Sequence, residues 1–278
     1  MGATRIVGAG LRLWAENWVP WFVVTLALTG LIAVVTAAVD PWSAVTGVTI
    51  WIGERPAYRP APNALAVVLT LVNTFLLSPW ELVILTNAAL RATCSDPLRS
   101  SALIGRTIIG VRSLLWIFVV LVLFALPFLI VLLGIARATE SADSRALLGL
   151  VPLTIFLVFL PRLATFVNVF VGEDSRGAKA IAGAWRLSKG AWATSAGTIV
   201  LSFLIALAVT ILPGLIVAEV FPDPEVGDAV ARTIVQSLLN AVVTPIGIAI
   251  VTVLYLELRA RAGPLDQAEL RRNLARFD

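Results

Sequence analysis

Histidine is absent from this 278-residue chain, cysteine and methionine occur once each, and only two of its 21 basic residues are lysine. Without histidine there is no His-based acid–base catalysis, no Ser-His-Asp arrangement and no histidine metal ligand. One cysteine, Cys94, excludes an internal disulfide and a thiolate zinc cluster. No Gly-x-x-x-x-Gly-Lys-Ser/Thr phosphate loop occurs. Charge is scarce as well: 14% of residues carry one, against about a quarter in soluble domains, while 59% are hydrophobic. These deficits point away from a soluble enzyme and toward lipid.

What the chain has instead is six long apolar runs, at 19–39, 64–90, 113–135, 146–171, 191–218 and 233–256. Each reaches the roughly 20 residues that cross a bilayer core. Backbone groups find no partners in lipid, so such runs are helices; a barrel would need alternating polarity, which they lack. The even-numbered runs share a landmark, Pro79, Pro161 and Pro245, spaced 82 and 84 residues apart. That period predicts one membrane hairpin repeated three times. The expected fold is therefore all-α: a single membrane domain over 1–278, with repeats at 3–92, 98–174 and 177–261 and a tail at 262–278.

Basic residues divide unevenly between the two ends of these spans. Fifteen fall on the side of the N-terminus, the even-span exits and the tail, five on the other side, and Arg162 lies within a run. The positive-inside bias predicts cytoplasmic termini, and the first run reads as a retained anchor. The net charge of +4 is thus an asymmetry and not a nucleic-acid footprint. Trp14, Trp18, Trp21, Trp116, Trp185 and Trp192 are placed to line the inner membrane surface, and Trp42 and Trp51 the outer. Scarce lysine beside abundant Ala and Val hints at a GC-rich bacterial gene, and hence at a bacterial inner membrane.

Ahead of each odd-numbered run lies a segment of helical periodicity. Val7, Leu11, Trp14 and Trp18 oppose Arg5, Arg12 and Glu16. Ile104, Ile108, Val111 and Leu115 oppose Arg99 and Arg106. Ile181, Ala184, Trp185 and Ser188 oppose Lys179, Arg186 and Lys189. Such basic faces predict interfacial elbows resting on anionic headgroups. Pro264 is placed to start a last helix with Leu270, Leu274 and Phe277 on one side, suited to docking on the membrane or a partner.

Residues 178–205 (AKAIAGAWRLSKGAWATSAGTIVLSFLI) and 244–266 (TPIGIAIVTVLYLELRARAGPLD) resemble the bacterial glycerophosphoryl diester phosphodiesterase membrane-domain family. That family is marked by an Ala-x-x-Arg-Ser-x-x-Leu-x-x-Gly elbow and a closing Leu-Tyr-x-x-Leu-Arg-x-Arg. The closing motif is matched by Leu254, Tyr255, Leu258, Arg259 and Arg261. Gly263-Pro264 stands where the family has an acidic residue and Gly. The resemblance implies a stand-alone six-span module; nothing of the phosphodiesterase domain is present.

Two charges lie inside runs, Glu81 and Arg162, ten and eleven residues before the charges that end their helices. Both therefore sit about 15 Å above the inner boundary. A charge in the bilayer interior costs about 2.5–3.5 kcal/mol on the insertion scale, so the shared depth predicts an ion pair. That pair would serve as a gate or relay, or would fix helix register. In the sixth run Thr233, Gln236, Ser237, Asn240 and Thr244 share one face, for hydrogen bonds between helices or for a polar cavity. The leading expectation is a non-catalytic membrane module working through lipid, a protein partner or a second copy at its basic cytoplasmic face. It implies no cofactor, no metal and no nucleic acid. The rivals are a small-solute or lipid transporter using the Glu81–Arg162 pair and a lipid-modifying membrane enzyme, for which no acid–base constellation is visible.

Overall fold

A chain segment in lipid must close its own backbone hydrogen bonds, and the regular elements here are helices. A computed structural model describes residues 1–40, 63–95, 159–173, 175, 177–220, 226–263 and 266–275. In chain order these hold α1 (Ala3–Thr25), α2 (Leu31–Val39), α3 (Ala64–Val72), α4 (Ser78–Thr93), α5 (Phe166–Gly172), α6 (Ala178–Leu187), α7 (Trp192–Val220), α8 (Val226–Ala262) and α9 (Gln267–Leu274). Four helices are long and apolar enough to cross a membrane: Ala3–Val39, Ala64–Thr93, Trp192–Thr210 and Gly227–Ala262. They overlap the first, second, fifth and sixth apolar runs. The third run and the first half of the fourth lie outside the described residues.

Apolar side chains cover the outside of the bundle as well as its core. Val23, Leu31, Phe203, Leu204 and Ile216 face outward, while Glu81, Asn87, Arg91 and Asn168 are buried. In water that apolar surface would drive association; against lipid it is the expected covering.

Both early spans are interrupted by a wide turn. A π-turn at Leu26–Gly30 joins α1 to α2, and another at Asn73–Leu77 joins α3 to α4. Pro79 supplies a reason for the second. Its missing N–H and its ring leave no place for an ordinary bond to the carbonyl four residues back, and widening the preceding turn relieves the clash. Ser78 Oγ then donates to the Asn73 carbonyl at 3.0 Å. The landmark prolines are not equivalent: Pro161 precedes a turn at Ala164 and Thr165, and Pro245 sits inside unbroken α8.

The Ala3–Val39 helix lies antiparallel along α8. Gly10 meets the Ile250 backbone, and Gly30 lies against Ser237. At the end of this seam the Met1 ammonium pairs with Glu257, and Arg261 donates to the Met1 carbonyl. Both helices are 37 residues long, or about 55 Å. That exceeds the roughly 30 Å apolar layer, so each overhangs it or tilts.

The first amphipathic segment is consequently not a separate elbow. It continues unbroken into its span, and Val7, Leu11 and Trp14 pack on Ile246 and Ile250 of α8 and on α7. A helix neighbour covers the apolar face that an interfacial elbow would turn into lipid. Trp21, placed in the interfacial belt by sequence, is 1% exposed and packs with Leu85, Ala88 and Ile248. Trp18, Trp185 and Trp192 are exposed.

The last helix also departs from expectation. It begins at Gln267, where Asp266 Oδ1 accepts from the Ala268 N–H, rather than at Pro264. Leu270 and Leu274 are buried in the cluster that holds Leu90, Phe170 and Tyr255. The docking partner of this tail is the chain itself.

Candidate functional site

Glu81 is 4% exposed, in the first turn of α4, directly after Pro79 and Trp80. The hydroxyls of Thr25 and Thr29, from the π-turn region of the first span, face its carboxyl group. Thr29 Oγ1 donates to the Thr25 carbonyl at 3.0 Å, as hydroxyls at helix-interior positions do. Oε1 of Glu81 and Oγ1 of Thr25 are buried and lack a hydrogen-bond partner. Three further buried, unpartnered atoms belong to the same pair of helices: Trp21 Nε1, Trp80 Nε1 and Asn73 Oδ1. The two π-turns touch each other across the pair.

The depths agree from both sides. Thr25 and Thr29 lie six and ten residues into the first apolar run, and Glu81 lies nine residues from the end of the second. At 1.5 Å per residue both estimates fall about 9–15 Å inside the apolar layer.

The structure does not join Glu81 to Arg162. Arg162 is half-buried, and its guanidinium lies over the Trp185 ring, 4.4 Å from the centroid. A cation over an indole face is held by the ring quadrupole, so the charge is compensated without a carboxylate. Phe159 packs against the same ring, with centroids 5.7 Å apart. Equal depth along two helices does not set their rotation, and rotation here turns Arg162 toward α6. The transporter reading loses the ion pair it was built on.

The polar face of α8 is divided among three surroundings. Ser237 is buried against Gly30; Thr233, Gln236 and Thr244 are half-buried; Asn240 is exposed. Thr233 Oγ1 donates to its own helix, at the Ala229 carbonyl, 2.8 Å away. Their exposure therefore differs along the one face. Arg232, in the first turns of α8, is 6% exposed.

Of the basic elbow residues, Arg99 and Arg106 lie outside the described residues. Lys179, Arg186 and Lys189 all project from α6 or the turn after it and are exposed. The opposite face, Ala180, Gly183 and Ala184, is buried. Gly183 permits that approach, since a Cβ there would lie 2.8 Å from Val169 Cγ1. Gly190, at φ +82°, turns the chain from α6 into α7 where a side chain would be strained.

Sequence reasoning missed a polar network at the same end of the bundle. Arg91 is 2% exposed; its Nε donates to Asn87 Oδ1 at 3.0 Å and a terminal nitrogen donates to the Leu274 carbonyl at 2.8 Å. Asn273 Nδ2 donates to the Gly172 carbonyl at 2.9 Å, and Asn168 Nδ2 to Thr252 Oγ1 at 2.9 Å. Tyr255 donates its hydroxyl to Glu173 Oε1 at 3.2 Å, which also pairs with Arg259 at 3.3 Å. The signal was available in part: Asn87 and Arg91 stand four apart at the end of an apolar run. Among the described residues no three His, Cys, Asp or Glu side chains converge as a metal site would require.

Comparison with protein-family models, curated proteins and solved structures gives no match to this chain. Any function must therefore be argued from the side chains. The residues that carried the family resemblance have local structural roles: Leu254, Tyr255 and Leu258 are buried, Arg259 pairs with Glu173, and Arg261 pairs with Glu257.

Proposed function

We propose that this chain is a multi-pass module of a bacterial inner membrane, without catalysis of its own, that engages anionic lipid or a protein partner through the basic face of α6. The observation that carries the reading is the division of that helix by exposure. Lys179, Arg186 and Lys189 are open while Ala180, Gly183 and Ala184 are closed against the bundle. Small residues on the inner face let α6 lie flat on α5 and, among the described residues, leave three cations with no carboxylate bonded to them. Trp185 and Trp192 are exposed beside them, as indoles at a headgroup layer are. Near an anionic leaflet each cation contributes about 1 kcal/mol. The positive-inside bias favours the cytoplasmic leaflet, and the relation to the membrane-domain family rests on its motif residues.

The test is retention of anionic phospholipid. The full chain, extracted in native lipid particles, should carry severalfold more anionic lipid than the Lys179→Gln, Arg186→Gln, Lys189→Gln triple variant. All three positions are exposed, so the variant should fold. Loss of a co-purifying protein in the variant, with lipid unchanged, would select the partner form of the reading. Equal lipid and equal protein content in both would sink it.

A further inference from the structure

Intramembrane carboxylates are costly, and one that only fixes helix register has its oxygens matched to donors. Glu81 does not. Its Oε1 and the neighbouring Thr25 Oγ1 are fully buried and unpartnered, whereas the Thr29 hydroxyl spends its proton on a backbone carbonyl and keeps its lone pairs. The side chains that meet here offer three hard oxygen-bearing groups, with Oε1 of Glu81 left without a donor. They are brought together by a π-turn, a geometry that departs from regular helix and recurs at functional sites.

Among the described residues no arginine is paired with the group. Among the described residues, Arg162 lies on Trp185, Arg12 pairs with Glu16, and Arg91, ten residues along α4, is engaged by Asn87 and Leu274. The elements around it offer neutral groups: Trp21, Thr25 and Thr29 from the first span, Asn73 from the second π-turn, and Ser237 from α8 against Gly30. The charged group of α8 nearest this level in sequence, Arg232, lies a further turn toward the helix start.

We propose that Glu81, Thr25 and Thr29 form an intramembrane binding site for one small monovalent cation, the charge being carried by either a proton or a sodium ion. A carboxylate and two hydroxyl oxygens provide hard oxygen ligands, and the bound charge cancels that of Glu81 within the apolar layer. The π-turn holds Thr25 and Thr29 on the side of the helix that α4 meets. This site is independent of the basic face of α6.

The experiment uses the full chain purified in mild detergent. Sodium chloride is titrated against choline chloride at constant ionic strength and pH while thermal unfolding is followed. A sodium site raises the wild-type midpoint by about 3–6 °C at ten times the dissociation constant, and Glu81→Gln abolishes the rise. A proton site gives instead a protonated-carboxyl infrared band that grows on acidification without sodium and is missing in Glu81→Gln. If Glu81→Gln does not fold, Thr25→Val and Thr29→Val keep the carboxylate and should weaken whichever response the wild type shows. A wild type with neither a sodium-dependent midpoint nor a Glu81-dependent band overturns the proposal. Lipid retention on α6 is read separately and can succeed or fail without it.

Discussion

Gly10 and Gly8 sit two residues apart in α1 and make opposite predictions. A Cβ at Gly10 would fall 2.6 Å from Ile250 Cα and 2.9 Å from its nitrogen, whereas one at Gly8 meets nothing within 4 Å. Backbone cannot move aside as a side chain can, so Gly10→Ala must push α1 off α8, at about 1–3 kcal/mol. Trimming Ile250 to Ala should not rescue it. Gly8→Ala should be neutral or gain up to about 1 kcal/mol from helix propensity. Thermal unfolding in detergent ranks the two. Arg91 makes a second residue-scale prediction, because its guanidinium binds the Leu274 carbonyl at the end of α9. Arg91→Met keeps the apolar stem and loses charge-assisted hydrogen bonds worth about 1.5–3 kcal/mol each. The expected outcome is faster trypsin cleavage at Arg271 and Arg272 as α9 loosens; an unchanged rate would mean that Leu270 and Leu274 hold the helix alone.

At the scale of elements, α6 docks by side-chain contact where α1 docks by backbone contact, and a rescue experiment separates the two. Gly183→Ala would set a Cβ 2.8 Å from Val169 Cγ1. Val169→Ala removes the obstructing methyl groups, so the double variant should recover much of the midpoint lost by Gly183→Ala, a coupling that additivity would refute. The described spans were legible because twenty-residue apolar runs have few structural solutions. Thr25, Thr29 and Glu81 were legible only as polar residues within such runs. Their meeting at a π-turn was not, because that turn depends on the packing of two spans and, at Asn73–Leu77, on Pro79. The first elbow was misread for a related reason. Amphipathicity shows that Val7, Leu11 and Trp14 share a face, but lipid and a neighbouring helix cover such a face equally well. Shared depth likewise suggested a Glu81–Arg162 pair, yet Trp185 offered the cation a nearer partner.

At the scale of the molecule, the seam between the first and last long helices sets the topology. Met1 pairs with Glu257 and Arg261 donates to the Met1 carbonyl, so the start of α1 and the finish of α8 lie at one end of the bundle. The finish of α4 reaches the same end, because Arg91 and Cys94 hold α9 there through Leu274 and Arg271. Exposed positions at Gly2 and Ala262 must therefore be reached from the same side of the membrane. Positive-inside bias predicts that this side is the cytoplasm. Cysteines introduced singly at Gly2 and at Ala262 should resist an impermeant thiol reagent in intact cells and react in inverted vesicles. Native Cys94, 5% exposed, should stay silent in both until the protein is unfolded, so it adds no background. Labelling of both introduced cysteines in intact cells would reverse the orientation and leave the bundle as described. Labelling of only one would break the antiparallel seam of α1 on α8, on which the burial of Gly10 and Gly30, and the placement of Thr25 and Thr29, depend.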